Sequence, residues 1–109
     1  MSKHREIHGE RCPVRTAVAV LSGRWKPLIV YYLRQRKRRL SELQRLIPEA
    51  TRQVLAQQLR QLEQDGVVVR TVYAVVPPKV EYSLSALGRE LEGVLDLLEQ
   101  WGEHLLARS

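Results

Sequence analysis

The stretch that decides the fold is TRQVLAQQLRQLEQDG, residues 51–66. Leu55, Leu59 and Leu62 recur at spacings of four and three, which predicts a helix with one apolar face. At about 100° per residue, the side opposite these leucines carries amides and a guanidinium group, namely Gln53, Gln57, Arg60 and Gln64. No carboxylate appears in the helix before Glu63, whereas solvated helix faces commonly alternate charges of both signs.

The chemistry of this polar face suits the edges of base pairs in the major groove of DNA. A Gln side chain can both donate to and accept from adenine, and an Arg side chain can donate twice to guanine. A carboxylate there is repelled by the neighbouring phosphates. A simpler alternative is that Gln and Arg are only good helix formers on a solvated surface. The elements on either side of the helix favour the DNA interpretation.

A short helix and a tight turn precede this helix. The segment SELQRLI begins at Ser41, its predicted N-cap, and is ended by Pro48. Its inward-facing apolar residues are Leu43, Leu46 and Ile47. After the turn PEA, Thr51 is the predicted N-cap of the longer helix and Gly66 its left-handed C-terminal stop. Two helices joined in this way have the dimensions of a helix-turn-helix.

The hydrophobic period then changes from helical to alternating. VVVRTVYAV, residues 67–75, and KVEYSL, residues 79–84, are rich in β-branched residues and predict two antiparallel strands. Pro77 and Pro78 cannot donate ladder hydrogen bonds, so they belong in the connecting loop. A hairpin directly behind a helix-turn-helix is where a wing lies. Arg70 either braces this hairpin or contacts DNA.

Two further helices are predicted ahead of this unit. Pro13 suits the first turn of a helix over residues 13–22. This helix has an apolar stripe that comprises Val14, Ala17, Val18 and Leu21. A second helix begins near Pro27 and ends at the run RQRKRR, residues 34–39, which we expect to be solvated. Residues 1–11 show no periodicity and predict a flexible arm.

The last segment, residues 85–109, predicts a single helix with Ser85 as its N-cap. Its apolar residues follow alternating spacings of four and three, a heptad-like seam. They are Leu87, Leu91, Val94, Leu98, Trp101 and Leu105. Because so small a domain cannot easily cover such a helix, we expect it to mediate homodimerisation, with the first helix contributing.

Length and charge bound the class of protein. The 109 residues, 44% of them hydrophobic, are consistent with one domain over residues 12–109 after the arm. The net charge is +6, and it is unevenly distributed. Residues 1–80 carry 16 Lys and Arg against 6 Asp and Glu, whereas residues 81–109 carry 2 against 6. A polyanion is the natural partner of such a chain.

The sequence favours neither an enzyme nor a membrane protein. It contains no paired carboxylates, Ser/His/Asp set or phosphate-binding glycine loop in a suitable position, and no cofactor is expected. The histidines lack metal-ligand spacing, and one cysteine excludes a disulfide framework or a multi-cysteine zinc site. No apolar run is long enough for a membrane span or a signal peptide, so we expect a cytoplasmic protein.

Taken together, these segments resemble the HxlR-type regulators, a branch of the winged helix-turn-helix transcription factors. The matching stretches are CPV (12–14), GRWKPLIVYYL (23–33), LSELQRLIPEATRQVLAQQLRQLEQDGVVVR (40–70), VPPKVEYSLSALGREL (76–91) and WG (101–102). The span RQRKRRL, residues 34–40, departs from the family, which usually has a Gly-Pro turn and an aromatic residue there. The expected fold is mainly α with a small antiparallel β-hairpin, that is, a winged helix-turn-helix with a C-terminal dimerisation helix.

The resemblance implies a homodimer that binds a roughly palindromic double-stranded operator, most simply as a repressor, with recognition helices in successive major grooves. On this model the residues that position the phosphates are Arg39, Ser41, Thr51 and Lys79. The residues that read the bases are Arg52, Gln53, Gln57 and Arg60. Arg38 and Arg39, in the divergent span, are expected to add phosphate contacts.

Cys12 is a candidate redox sensor. It lies at the predicted start of the first helix between Arg11 and Arg15, and both the helix N-terminus and the cations favour the reactive thiolate. Several members of the resembled family are similar in sensing oxidants or electrophiles through a cysteine in this region. The alternative is a small packing residue. Without a second cysteine, a switch needs an intersubunit disulfide or a small-molecule adduct.

Two other functions remain open on the sequence alone. One is an architectural protein that coats nucleic acid by charge without sequence preference. The other is a protein–protein adaptor that keeps the winged fold and uses the terminal helix to bind a different partner.

Overall fold

A computed structural model describes residues 11–109, so the arm predicted over residues 1–11 lies outside this part of the chain except for Arg11. The described residues form helices and one two-stranded antiparallel sheet, and the predicted fold class is confirmed. The elements are α1 (Pro13–Leu21), α2 (Lys26–Gln35), α3 (Leu40–Leu46), α4 (Arg52–Gln64), β1 (Val68–Tyr73), β2 (Lys79–Leu84), α5 (Ala86–Arg89) and α6 (Glu92–Ala107).

Helices α3 and α4 form the predicted helix-turn-helix. The Thr51 hydroxyl accepts a hydrogen bond from the Val54 N–H at 3.1 Å, which confirms Thr51 as the N-cap of α4. The Gln44 amide donates to the Ala50 carbonyl and so closes the turn between the two helices. Gly66 adopts a φ of 80° after α4, the left-handed conformation that glycine adopts without steric cost.

The N-cap of α3 differs from the prediction. Helix α3 begins at Leu40, and its N-cap is Arg39 rather than Ser41. The Arg39 backbone N–H donates to a Glu42 carboxylate oxygen at 2.8 Å, one half of a capping box. A carboxylate three residues into the helix therefore stabilises its start, and the Ser41 hydroxyl is left exposed on the first turn.

The hairpin confirms both predicted strands. Val68 pairs with Leu84 and Arg70 pairs with Tyr82, so the register is set from the base of the hairpin to its tip. Arg38 extends the sheet on the β2 side. The Arg38 N–H donates to the Tyr82 carbonyl at 2.9 Å, and the Tyr82 N–H donates back at 2.8 Å. Tyr82 is thus held between β1 and the loop that precedes α3.

Burial of Arg38 overturns the expectation that the whole run of residues 34–39 is solvated. Arg38 is only 8% exposed. Its guanidinium group donates to the Tyr32 carbonyl at 3.2 Å and to the Gln35 side-chain oxygen at 2.7 Å. A buried cation is tolerated when its donors are satisfied in this way. Arg38 is therefore a structural residue, and its expected phosphate contact is wrong.

The hydrophobic core lies between α2, α3, α4 and the base of the hairpin. Its buried residues are Ile29, Val30, Leu33, Leu43, Ile47, Ala50, Leu55, Leu59, Leu62, Val67, Val68, Leu84 and Leu95. The three leucines that define the apolar face of α4 are completely buried. This packing fixes the rotation of α4 about its axis, so its polar face is directed away from the core.

The terminal segment forms two helices instead of the predicted single one. Ser85 is the N-cap, and its hydroxyl accepts from the Gly88 N–H at 3.0 Å, as predicted. Helix α5 ends at Arg89, and α6 begins at Glu92. Leu91, at the break, packs against the core of its own subunit. The break lets α5 lie across the base of the hairpin while α6 extends away from it.

Helices α1 and α6 bury little within one subunit. No residue of α1 is buried, and Leu95 is the buried residue of α6. The apolar stripe of α1 is therefore uncovered in a single subunit, where Val14 is 69% and Val18 is 57% exposed. The large apolar residues of α6 that are also exposed are Val94, Leu97, Leu98, Trp101, Leu105 and Leu106.

Polar contacts attach α6 to α2. The Arg34 guanidinium group forms ion pairs with Asp96 and, at 3.6 Å, with Glu99. The Tyr31 hydroxyl donates to Glu99 at 3.2 Å, and this hydrogen bond to a carboxylate raises the pKa of Tyr31 above its ordinary value. None of the helices over residues 11–109 has the length and apolar character needed to cross a bilayer.

Candidate nucleic-acid interface

The polar face of α4 is exposed to solvent. Gln53, Gln57 and Arg60 lie on it, opposite the buried leucines, as the helical spacing predicts, and Arg52 is exposed on its flank. Ala56 is half-buried between them and leaves a shallow step in the surface. Arg52 is the first residue of the helix, so its side chain lies at the end where backbone N–H groups are free to meet an anion.

A cleft of about 330 Å³ separates the start of α4 from the hairpin, and we call it the basic cleft. It is lined by Arg39, Leu40, Ser41, Arg52, Arg70, Pro78, Lys79, Val80 and Tyr82. Four of these side chains are cationic and none is a carboxylate. The tertiary structure thus brings together residues from α3, α4 and both strands. A cleft lined by cations from several elements favours binding of a polyanion such as the phosphate backbone of a nucleic acid.

A second cleft, of about 350 Å³, lies between the same face of the hairpin and the middle of α4. Its lining residues are Ala56, Arg60, Glu63, Arg70 and Tyr82. Arg70 and Tyr82 line both clefts, because they pair across the hairpin and share the face that looks toward α4.

The sequence left the role of Arg70 open between bracing the hairpin and contacting DNA, and it did not indicate Tyr82 as an interface residue. Arg70 has no ion pair or side-chain hydrogen bond among residues 11–109, so it does not brace the hairpin by a polar contact. The available signal was the two-residue period of the strands, which places Val80, Tyr82 and Leu84 on one face. That period alone could not show which face meets α4.

The arginines of the interface are free of carboxylate partners within the described chain. No ion pair is formed there by Arg39, Arg52, Arg60 or Arg70, whereas Arg34 and Arg36 on the other surfaces are paired. An unpaired guanidinium group keeps its full set of donors for an external phosphate or base. The unpaired guanidinium groups therefore leave this surface open to an anionic partner.

Lys79 differs from these arginines because Glu81 holds it. The Lys79 ammonium lies 3.6 Å from one Glu81 oxygen, and Lys37 lies 3.5 Å from the other. The Tyr73 hydroxyl donates to Glu81 at 2.9 Å. This hydrogen bond, followed by the two ammonium groups, lowers the pKa of Glu81, and Glu81 in turn raises the pKa of Lys37.

The remaining predicted site residues occupy separate places. Ser41 is exposed and lines the basic cleft, and Thr51 is exposed at the start of α4 with its hydroxyl accepting from Val54. Cys12 is the N-cap of α1 and is half-buried, and it lies outside both clefts. Among residues 11–109, no group of histidine, cysteine and acidic side chains is arranged to hold a metal ion.

An exposed polar helix, a preceding short helix and an adjacent basic hairpin together define a winged helix-turn-helix DNA-binding protein. Comparison with known families agrees with this class. The model of the HxlR-like helix-turn-helix family matches residues 20–109, and the chain belongs to this family. It is therefore a transcriptional regulator of the helix-turn-helix type.

Individual relatives are similar over most of the chain. The uncharacterized HTH-type transcriptional regulator YtcD of Bacillus subtilis is 52% identical over 95 residues, which cover 87% of this chain and 75% of the relative. The crystal structure of YtcD has a TM-score of 0.83 at 50% identity, covering 88% of this chain and 98% of that chain. The redox regulator HypR in its reduced form has a TM-score of 0.84 at 42% identity, covering 90% of this chain and 100% of that chain.

Proposed function

We propose that this regulator binds a roughly palindromic operator as a homodimer and represses transcription by occupying it. The observation that carries the proposal is the exposed face of α4, which offers Arg52, Gln53, Gln57 and Arg60 between two clefts that meet at Arg70. Side chains of this kind can discriminate among base pairs, whereas a purely electrostatic coat requires only cations.

The two groups of contacts have different roles. In this arrangement α4 enters the major groove, and its exposed amide and guanidinium groups meet the base edges. The groups that border the groove and fix the register on the phosphates are Arg39, Ser41, Thr51, Arg70 and Lys79. The free guanidinium groups of Arg39 and Arg70 supply most of the affinity and the salt dependence, and the α4 side chains supply the preference for one sequence. Lys79 contributes less, because it is paired with Glu81.

Dimerisation is supported by the uncovered apolar surfaces of α1 and α6. A soluble monomer rarely exposes a contiguous apolar patch of this kind, and a second copy of the same surface is a self-complementary partner. The α6 residues involved in this model are Val94, Leu98, Trp101 and Leu105, with Leu87 at the edge of the interface. Leu91 contributes less than the sequence suggested, because it packs on its own subunit's core. Two recognition helices about 34 to 36 Å apart then reach successive major grooves.

Selection of genomic fragments tests the proposal. Purified protein is mixed with fragments of its own genome, the retained fragments are sequenced, and the affinity for the enriched site is compared with that for a random duplex of equal length. We expect an affinity ratio of about 10³ or more near physiological salt. A ratio close to one would instead support the architectural alternative. Transcription from a template bearing the site would then fall as protein is added.

We also propose that thiol chemistry at Cys12 switches this activity. The support is its position at the start of α1, a helix without buried residues that belongs to the proposed dimer surface. HypR, which shares the fold, has been solved both oxidized and reduced. Modification of Cys12 can therefore alter the packing of the two subunits without touching the DNA-binding face.

Diamide treatment tests the thiol proposal. Operator affinity of the native protein should fall on treatment and return on reduction, whereas Cys12→Ser should be indifferent. Non-reducing electrophoresis distinguishes an intersubunit disulfide, which doubles the mass of the chain, from a small adduct. Equal responses of the two proteins would show that the sensor is not this cysteine.

A further inference from the structure

Among the cations that line the basic cleft, Lys79 has a carboxylate within ion-pair distance. Its ammonium group lies 3.6 Å from Glu81, and it also lies 4.9 Å from the centre of the Tyr73 ring. Arg39, Arg52 and Arg70 form no ion pair among residues 11–109. An anion that enters the cleft therefore meets three free guanidinium groups and one ammonium group that already pairs with a carboxylate.

The position of Glu81 in the hairpin is fixed by the pairing of the two strands. Its partner across the strands is Thr71, and two positions further along the ladder Tyr73 pairs with Lys79, so these side chains share one face. The opposite face carries Arg70 and Tyr82. The side chain of Glu81 is 15% exposed. Its carboxylate accepts a hydrogen bond from the Tyr73 hydroxyl at 2.9 Å, and this bond holds the carboxylate in place.

Lys37 approaches Glu81 from the loop between α2 and α3, at 3.5 Å from the carboxylate. That loop is fixed by the Arg38–Tyr82 bridge, which places Lys37 beside β2. One carboxylate thus engages two lysines from different parts of the chain. Neither lysine is deeply buried, with side-chain exposures of 60% for Lys37 and 37% for Lys79, so DNA could reach both.

We propose that Glu81 limits the sequence-independent affinity for DNA by competing with the phosphates for Lys79 and Lys37. This inference rests on the proposed function, since it assumes that DNA lies along the basic cleft and the hairpin that borders it. A phosphate must displace Glu81 to gain either lysine, and the fixed negative charge also repels the phosphate directly. Binding of random DNA is almost wholly electrostatic, so it is the quantity that this carboxylate reduces most.

The expected size of the effect follows from counterion release. Each phosphate newly neutralised makes the slope of log K against log salt steeper by about 0.9. Raising the salt concentration fourfold, from 50 to 200 mM, lowers the affinity of both proteins. With one extra phosphate contact, the loss of affinity is about 3.5 times as large as in the native protein. In a Glu81→Gln dimer each subunit gains one contact, so the loss of affinity over this salt range should be about 12 times as large as in the native dimer.

The experiment measures binding of a random-sequence duplex across this salt range. Glu81→Gln, whose amide oxygen can still accept from Tyr73, should bind several-fold more tightly at 50 mM with the steeper slope. The matched control is Glu103→Gln, which makes the same change of net charge at an exposed position on α6. Unchanged or weaker binding by Glu81→Gln, or an equal gain by Glu103→Gln, would overturn the inference.

A double-mutant cycle tests the route through Lys79. In the native background Lys79→Gln should cost little affinity for random DNA, because that lysine is already paired with Glu81. In the Glu81→Gln background the same change should remove a large part of the gain. Additive effects would argue against competition at Lys79. If the native protein binds no duplex at all, the proposed function fails; if it binds and Glu81→Gln binds no better, only this inference fails.

Discussion

Replacement of Gly88 by alanine tests how the terminal helices are seated on the winged unit. Gly88 is buried in α5 against the base of the hairpin. A Cβ atom at this position would lie 2.3 Å from the Val67 carbonyl oxygen and 3.2 Å from a Leu84 side-chain carbon. The Val67 oxygen cannot easily retreat, because it accepts from the Ser85 N–H at 3.0 Å and from the Ser85 hydroxyl at 3.1 Å.

We expect Gly88→Ala to lower the free energy of unfolding, although helix propensity alone would raise it. Alanine in place of glycine inside a helix ordinarily stabilises by up to about 1 kcal/mol. At Gly88 the overlap with a backbone atom forces α5 away from the hairpin, and overpacking of this kind costs about 1 to 3 kcal/mol. We expect a loss toward the upper end of that range. For a domain of this length, 2 to 3 kcal/mol corresponds to a melting temperature roughly 10 to 20 °C lower.

Urea and thermal denaturation at one fixed protein concentration measure this change, because the stability of a dimer depends on concentration. Gly93→Ala in α6 is the matched control, since nothing lies within 4 Å of a Cβ atom there. The control should be neutral or slightly stabilising. A Gly88→Ala protein as stable as the native one would refute the reasoning that α5 is held in close backbone contact with the hairpin.

Other predictions concern the interface, the dimer and the start of α3. Arg60→Ala should lose about 1 to 3 kcal/mol at a few base pairs of the operator, measured with single-base variants; equal losses on every sequence would make Arg60 a phosphate contact. Trp101→Glu should weaken the dimer by at least about 30-fold, as for a central aromatic residue, and sedimentation equilibrium should show the monomer; an unchanged mass would argue against the α6 interface. Glu42→Ala should cost about 0.3 to 1.5 kcal/mol at pH 7, because it removes the acceptor for the Arg39 N–H. That hydrogen bond lowers the pKa of Glu42 in the folded protein, so its stabilisation is complete above the ordinary carboxyl range and is lost as the pH falls through the lowered pKa. Native and Glu42→Ala stabilities in urea should therefore converge in acid, and a difference that persists there would contradict this explanation.

The helix-turn-helix and the hairpin were predictable because their signals are local. The leucine spacing of α4, its Thr51 cap and the Gly66 stop are all contained in one stretch of sixteen residues, 51–66. Each signal reflects a backbone geometry that depends on near neighbours alone. The exposed face of α4 followed directly, because a buried leucine face leaves the opposite side to solvent.

The details that were missed depend on distant residues. Nothing in the charge run around Arg38 indicates that Tyr82, 44 positions further along the chain, will pair with its backbone and so hold it beside Tyr32 and Gln35. Glu81 looked like one of many surface carboxylates until the hairpin register placed it between Lys37 and Lys79. Charge runs and isolated acids carry no periodicity, so their partners cannot be read from the chain.

The amino-acid sequence by itself determined the order of the elements, the family and the chemistry offered by α4. Hydrophobic period, caps and turn residues act over a few positions, and they specify local structure before any tertiary contact forms. Only the tertiary structure decided that α5 and α6 are separate, that α1 stays uncovered in one subunit, and that Arg70 and Tyr82 border both clefts. These outcomes depend on which faces of distant segments pack together, and that packing is determined by contacts across the whole core.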